Sequence, residues 1–170
     1  MGGERCWADD ESAPGDESVR LRAVRVFQDG IEGPTEDVDI ARDVHVEIEY
    51  QARSGGSPLY AAIHLRDTVG TAVFASSTAP GSSAIADEWH GKPHPAGVYR
   101  SRCTIPGSLL NEGRYHVTAI VAKDPGQVLI REENALPFHV HDSGEMRTEY
   151  YGLWIGTVRP RLAWRTERVA

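Results

Sequence analysis

The sequence predicts an all-β protein: an antiparallel β-sandwich of immunoglobulin-like or jelly-roll-like type, with about eight strands and a further C-terminal edge strand. Apolar residues alternate with polar ones over short segments, which is the pattern of strands with one buried face. Glycine and proline account for 17 and 10 of the 170 residues and separate these segments with turns. No segment carries a convincing amphipathic-helix pattern.

The predicted strands follow one another from Ser18. In the first strand the apolar phase slips by one residue between Ala23 and Val24, which predicts a β-bulge. The second strand, over residues 43–53, is the clearest, because five apolar residues on one face alternate with charged and polar residues on the other. The remaining six predicted strands cover residues 59–66, 71–76, 98–105, 115–123, 127–131 and 136–141.

We expect three parts along the chain. Residues 1–17 are an acidic, linker-like leader in which Trp7 is the one residue expected to pack on the domain. Residues 18–142 form the sandwich. Residues 143–170 contain an aromatic and apolar segment, residues 150–164, which lies beyond the strands that complete a sandwich, so we expect the C-terminal part to add an edge strand or to pair with another subunit.

The distribution of charge excludes several classes of partner. The formal net charge is −7, and the leader with Ser18 contributes −5 of it, so the remainder is nearly neutral and has no extended basic surface for nucleic acid.

No apolar run approaches the roughly 20 residues that span a bilayer, and no export signal opens the chain. The sequence therefore predicts a cytoplasmic location without direct insertion into a membrane.

Motifs of catalysis and nucleotide binding are absent from the sequence. It contains no phosphate loop, no dinucleotide-binding glycine motif, no G-x-S-x-G elbow and no H-E-x-x-H zinc motif. Glu47 and Glu49 are expected on a solvated strand face rather than as a catalytic pair. His139 and His141 have a spacing that can bind a metal, but no third ligand is evident. We therefore predict no catalytic residue, no metal and no cofactor.

One group of residues combines aromatic and hydrogen-bonding side chains. Sugar rings have apolar C–H faces and many hydroxyls, so sugar-binding surfaces combine aromatic platforms with charged or forked hydrogen-bonding groups. We predict a carbohydrate-binding site formed by Tyr60, His64, Arg66, Trp89, His90, Arg100 and Arg102. Tyr99 is a weaker candidate platform, because its phase places it in the core. The site requires the strands at 59–66 and 98–105 to be neighbours, and the alternative is an ordinary solvent-exposed face.

The order of several sequence pieces resembles a known family. They are IPGSLLNEGRYHVT from Ile105 to Thr118, the Gly97–Tyr99 segment before it, Phe138–Val140, the leader from Trp7 to Leu21, and VRPRLAW from Val158 to Trp164. Over residues 5–166 the chain resembles the carbohydrate-binding C-terminal domain of the ATP-binding subunit of polysaccharide ABC exporters, the Wzt type. The ATPase half of such a subunit is not in this sequence, so the chain is either an excised domain or a separate binding module.

The resemblance implies a non-catalytic β-sandwich that recognises an O-antigen or related polysaccharide, and that acts with the nucleotide-binding and membrane subunits of an exporter, peripheral to the inner membrane. It also implies a homodimer formed by exchange of the C-terminal strand. Two other hypotheses remain open. One is a protein-interaction sandwich that bridges subunits without a glycan site, and the other is an enzyme that uses His139 and His141 with a metal.

Overall fold

The computed structural model describes residues 2–123, 126–144 and 152–169, and it is an all-β sandwich of two sheets. None of the described residues forms a helix that is long and apolar enough to cross a membrane. The strands within the described residues are β1 (Glu4–Cys6), β2 (Val19–Gln28), β3 (Asp37–Asp39), β4 (Val44–Ala52), β5 (Leu59–Arg66), β6 (Ala72–Ser77), β7 (Gly97–Ile105), β8 (Gly113–Lys123) and β9 (Gln127–His141).

The strands are divided between a four-stranded sheet A and a five-stranded sheet B. Sheet A has the order β1-β2-β4-β7 and is antiparallel throughout. Sheet B has the order β3-β9-β8-β5-β6 and is antiparallel except for the parallel pair β3–β9. The edge strands β7 and β6 lie on the same side of the sandwich, because both contribute to one inter-sheet cavity. This side carries the candidate site.

The inward faces of both sheets form a continuous apolar core. Strand β4 alternates buried residues with partly exposed ones, as the predicted strand over 43–53 requires, and its inward Val46 and Ile48 are fully buried. Leu21 of β2 and Leu65 of β5 are also fully buried in the same cluster. The predicted β-bulge in the first strand is confirmed, since the register between β2 and β4 shifts between Leu21 and Ala23.

Two segments predicted as separate strands are one strand in the structure. Residues 127–131 and 136–141 both belong to β9, which pairs with β8 along its length. The register shifts between Glu132 and Leu136, where Asn134 has a φ of 51°. The local break in alternation comes from this irregularity and not from a turn. The short strands β1 and β3, of three residues each, were not predicted.

The leader differs from the expected linker. Strand β1 pairs with β2 at the edge of sheet A, and Trp7 is only 8% exposed within the hydrophobic core, so the predicted packing of Trp7 is confirmed. Ala13 is buried in the same cluster. Burial of the indole ring and strand pairing offset the ordering entropy that keeps a polar linker mobile.

The C-terminal segment is anchored to the sandwich over residues 154–159. Within residues 152–169 its one strand-like contact is an isolated bridge between Val158 and Leu110. The Asn111 amide donates to the carbonyls of Trp154 and Gly156, at 2.8 and 2.6 Å. Leu162 and Trp164 beyond this anchor are exposed, Trp164 by 90%. Residues 145–151, which belong to the predicted edge or exchanged strand, lie outside the described residues.

Candidate functional site

Four rings from two strands and one loop form an aromatic cluster at the β6–β7 side of the sandwich. The loop over residues 78–96 joins β6 to β7 and places Trp89 with its ring centroid 5.2 Å from that of Tyr99 and 5.2 Å from that of His94. His94 and Tyr99 lie 4.6 Å apart. Tyr50 of β4 stacks on Tyr99 at 5.9 Å, because the two residues are direct cross-strand partners.

The loop is fixed close to His94. The backbone N–H of His94 donates to the Ser57 carbonyl at 2.9 Å, and the Gly56 N–H donates to the His94 carbonyl at 3.1 Å. Gly55 has a φ of 68°, and a Cβ atom there would lie 3.1 Å from the Ala96 nitrogen, so glycine suits this close approach of two loops. Hydrogen bonds therefore hold His94 in place, although the loop that carries His94 and Trp89 is long.

A cavity of about 320 Å³ opens beside the cluster, and we call it the aromatic cleft. It lies between the sheets, where the inward face of β7 is only half-buried. Its lining consists of Tyr50, Leu59, Thr78, Asp87, Trp89, His94, Val98, Tyr99, Arg100 and Ser101. The volume is within the range of small-ligand sites, and the lining joins apolar rings with a few polar groups, as in sites that bind small molecules.

His94 is buried next to the aromatic cleft and carries no charge. Its side chain is fully buried. Burial lowers the pKa of His94, while the Lys92 carbonyl and the Asp87 carboxylate act in the opposite direction without restoring the ordinary value. The Nδ1 atom lies 3.2 Å from the Leu59 backbone nitrogen and 3.0 Å from the Lys92 carbonyl oxygen. Without a proton Nδ1 accepts from the Leu59 N–H, and with a proton it donates to the Lys92 carbonyl, so each tautomer makes one of the two hydrogen bonds. The imidazole is neutral at pH 7.

Polar groups surround the aromatic rings at the mouth of the cleft. The Asp87 carboxylate accepts a hydrogen bond from the backbone N–H of Trp89 at 2.7 Å, which fixes the backbone of this residue and leaves the second carboxylate oxygen as an acceptor. Arg100 donates its Nε–H to Glu49 at 2.6 Å, and its side chain is 64% exposed. The Ser101 hydroxyl lies 3.4 Å from the Tyr50 hydroxyl. These groups can bind the hydroxyls of a ligand whose apolar face rests on the rings.

The outward face of sheet A carries an ion-pair network. Glu47, whose side chain is 8% exposed, lies 3.2 Å from Arg25 and 3.0 Å from Arg102. The expectation that Glu47 and Glu49 lie on a solvated face is wrong, because three arginines from β2 and β7 cover both carboxylates. Cross-strand pairing places opposite charges directly beside each other here.

The structure brings together only some of the predicted carbohydrate-binding residues. Trp89 and Arg100 line the aromatic cleft. His90, next to Trp89, contacts the Tyr60 ring at 5.5 Å on the outward side of β5. The strands that carry Tyr60 and Arg100 are not neighbours: β5 belongs to sheet B and β7 to sheet A. The groove expected from their pairing does not form, and the loop over residues 78–96 connects the two sides instead.

The other predicted residues lie away from the cleft. His64 and Arg66 alternate with buried residues on the outward face of β5, and burial together with Arg131 and Arg66 lowers the pKa of His64. Arg102 lies on the outward face of sheet A, where its guanidinium is 5.0 Å from the centre of the Phe27 ring. Among the described residues no group of three His, Cys, Asp or Glu side chains could hold a metal, and His139 faces Asp37 at 3.8 Å.

Sequence reasoning missed Tyr50 and His94 as cleft residues. The alternation of β4 assigns Tyr50 to the core, which is correct, but it does not show that the core opens beside this ring. His94 stands between Pro93 and Pro95, and this restriction of the backbone is the one sequence signal of a fixed position in the loop.

Comparison with known proteins identifies the family. The family model of the Wzt C-terminal domain matches residues 10–153. The solved C-terminal domain of wzt aligns with a TM-score of 0.69 at 13% identity, over 98% of this chain and 93% of that chain. A Niemann-Pick type C2 protein from the Japanese carpenter ant aligns with a TM-score of 0.47 at 9% identity, over 76% of this chain and 98% of that chain. No curated protein sequence matches the chain. The chain belongs to the Wzt C-terminal domain family.

Proposed function

We propose that this protein is a non-catalytic carbohydrate-binding module that recognises an O-antigen or related cell-surface polysaccharide for export by an ABC transporter. The observation that carries the proposal is the aromatic cleft, in which the rings of Trp89 and Tyr99 pack on the buried, neutral His94 and form an apolar wall beside polar groups. Membership in the Wzt C-terminal domain family supports a carbohydrate-binding role in O-antigen export at the level of the family.

The chemistry of the cleft suits a sugar ring. An aromatic face attracts the C–H face of a pyranose through dispersion and desolvation, and surrounding polar groups bind its hydroxyls. Trp89 is the proposed platform, and Asp87 and Arg100 are the proposed acceptor and donor. Tyr60 and His90 form the rim of the site. His64, Arg66 and Arg102 lie outside the cleft, so in this proposal they reach the glycan only beyond its first bound residues.

The protein would select a polysaccharide for transport because its cleft binds the glycan to be exported more tightly than other glycans. The partners are then the nucleotide-binding and membrane subunits of the exporter. The site of action is the cytoplasmic side of the inner membrane, to which the protein attaches through these subunits. The family-level role in export supports this arrangement.

A binding screen tests the proposal. We expect the purified chain to bind the source strain's cell-surface polysaccharide in titration calorimetry, with weak affinity per sugar residue because one shallow cleft supplies the contacts. Polysaccharides of unrelated strains are the control for specificity. Absence of binding to every polysaccharide of the source strain would contradict a glycan site and favour a bridging protein module.

We further propose a homodimer formed through the C-terminal segment. After the anchor at Val158, the chain has no regular secondary structure over residues 159–169 and exposes Leu162 and Trp164. Arg161 and Arg165 flank these apolar residues. A segment without secondary structure of its own and with exposed apolar side chains is suited to pairing with a second copy of the chain, which buries those side chains and its backbone groups.

Removal of residues 160–170 is expected to convert the dimer into a monomer, because it deletes Leu162 and Trp164 but keeps the anchor formed by Asn111 and residues 154–158. Light scattering measures the change as a halved mass. A shorter deletion of residues 165–170, which retains both apolar residues, is the matched control and should remain a dimer. An unchanged dimer mass after the longer deletion would exclude this segment as the interface.

A further inference from the structure

Three cavities follow one another along the side of the sandwich between β6 and β7. The first is the aromatic cleft. The second, of about 40 Å³, shares Thr78 and Ser101 with it. The third, of about 230 Å³, shares Ser76 and Cys103 with the second and reaches Leu109. Because adjacent cavities share lining residues, they lie in a row along this side of the sandwich, and we call this row the seam groove.

The seam groove exists because the sandwich is not closed on this side. The inward-facing Tyr99, Ser101 and Cys103 of β7 are only half-buried, whereas Val46 and Ile48 of the neighbouring β4 are fully buried beneath them. Hydroxyl groups line its edges, contributed by Ser76, Ser77, Thr78, Ser101 and Thr104. The half-buried apolar lining, which includes Phe74, Cys103 and Leu109, and the hydroxyls beside it complement a sugar chain, which presents C–H faces and hydroxyls around each ring.

The backbone of the two edge strands adds further hydrogen-bonding groups. Among the described residues β7 pairs in sheet A with β4 alone, and β6 pairs in sheet B with β5 alone, so alternate N–H and C=O groups of both strands lie on the groove side. On β6 the Ser77 N–H already donates to the Ser82 hydroxyl at 3.1 Å. Over residues 98–104 the described chain contains no backbone hydrogen bond outside the ladder with β4. Arg100 and Arg102 place charges on this edge, which disfavours the addition of a protein strand.

The charges along the seam groove compensate one another. Arg100 and Arg102 line the groove, and each is paired with a carboxylate of β4, Glu49 at 2.6 Å and Glu47 at 3.0 Å. Asp87 is the one carboxylate among the described lining residues. An anionic sugar would meet no unpaired cation here and would approach Asp87, which costs desolvation without a counter-charge.

We propose that the seam groove binds a run of several uncharged sugar residues, one of which occupies the aromatic cleft. The segment of β7 from Tyr99 to Ile105 extends over about 20 Å, which is longer than a single sugar ring. The inference rests on the proposed function and adds the class of ligand: a neutral glycan that is recognised over several residues rather than at one.

A series of oligosaccharides of increasing length tests the inference with the unmodified protein. The probes are oligosaccharides of one to six residues, released by partial acid hydrolysis from the source strain's surface polysaccharide and separated by size and charge. In titration calorimetry we expect affinity to rise at least tenfold between two and six residues, and neutral fractions to bind more tightly than acidic ones of equal length. If short fragments bind but the affinity does not rise with chain length, the inference is overturned and the proposed function stands. Absence of binding at every length would remove both.

A variant separates the seam groove from the aromatic cleft. Ser76→Arg places a long charged side chain where the second and third cavities meet, outside the aromatic cleft. We expect it to remove the gain in affinity with chain length but to leave the binding of one- and two-residue fragments within twofold of wild type. Val69→Arg, at an exposed turn away from the groove, is the matched control. If Ser76→Arg and Val69→Arg show the same rise in affinity with chain length, binding along the seam groove is contradicted. The length dependence of the wild-type protein tests the inference even if Ser76→Arg does not fold.

Discussion

Replacement of Trp89 with alanine is expected to weaken glycan binding by about 2 kcal/mol, or roughly thirtyfold, which is the loss typical of a central aromatic residue in a binding site. The indole ring is the part of the aromatic cleft that the loop over residues 78–96 supplies, and it packs edge-on against Tyr99 at 5.2 Å. Titration calorimetry with the source strain's polysaccharide measures the change. Trp89→Phe should retain more affinity than Trp89→Ala, because phenylalanine keeps an aromatic face.

The control for this prediction comes from the same loop. Ile85 is exposed and does not line the aromatic cleft, so Ile85→Ala should leave the affinity unchanged. Both variants should unfold close to the wild-type temperature, since Trp89 is itself 38% exposed. Equal affinities of Trp89→Ala and wild type, in a protein that binds the polysaccharide, would place the glycan outside the aromatic cleft and direct attention to the outward face of β5.

Strand periodicity was sufficient to predict most of the fold. Side chains alternate with a period of two, so β4, β5 and β7 could be located within one or two residues from apolar spacing alone. The three-residue strands β1 and β3 are too short to show a period, and their pairing is decided by tertiary contacts such as burial of Trp7. The bulge in β9 imitated a turn because an inserted residue breaks alternation as a turn does.

The candidate site was harder to predict because it depends on which strands are neighbours. Sequence identified Trp89, His90 and Arg100 as residues of the right chemistry, and Tyr60 as a possible platform. It could not show that β5 and β7 lie in different sheets, because strand order in a sandwich is set by long-range pairing that alternation does not encode. The same gap explains Glu47, whose arginine partners come from strands far away in sequence.

Replacement of Arg25 with methionine is expected to destabilise the protein by about 3 kcal/mol, because it leaves carboxylates without their shared partner in a half-buried site. The Arg25 guanidinium contacts Glu4 of β1 and both Glu47 and Glu49 of β4, and Glu47 is nearly inaccessible to water. Methionine keeps an apolar side chain like the stem of arginine, so the loss of stability reports the removal of the guanidinium charge. For a domain of this size the melting temperature should fall by roughly 6–12 °C in calorimetry.

Arg53 provides the matched control, since its pair with Asp10 is exposed on both sides. Arg53→Met should cost less than about 1 kcal/mol. Equal stabilities of Arg25→Met and Arg53→Met would mean that the network contributes no more than a surface ion pair. Addition of Glu47→Gln to Arg25→Met should restore part of the loss, because a neutral amide replaces the uncompensated buried carboxylate.

The effect of Arg25 should also depend on pH. Burial alone would raise the pKa of Glu49, but hydrogen bonds from Arg100 and Arg25 hold it below the ordinary value of 4.5, and a hydrogen bond from Arg25 lowers the pKa of Glu4. A lowered carboxyl pKa in the folded state contributes stability that is fully present above pH 4.5 and is lost as the pH falls through the lowered value. Arg25→Met lacks much of this contribution, so the difference in unfolding free energy between wild type and variant should be largest near pH 7 and should shrink below pH 4.5. A difference that stays constant from pH 7 to pH 3 would assign the effect of Arg25 to packing of its stem rather than to its charge.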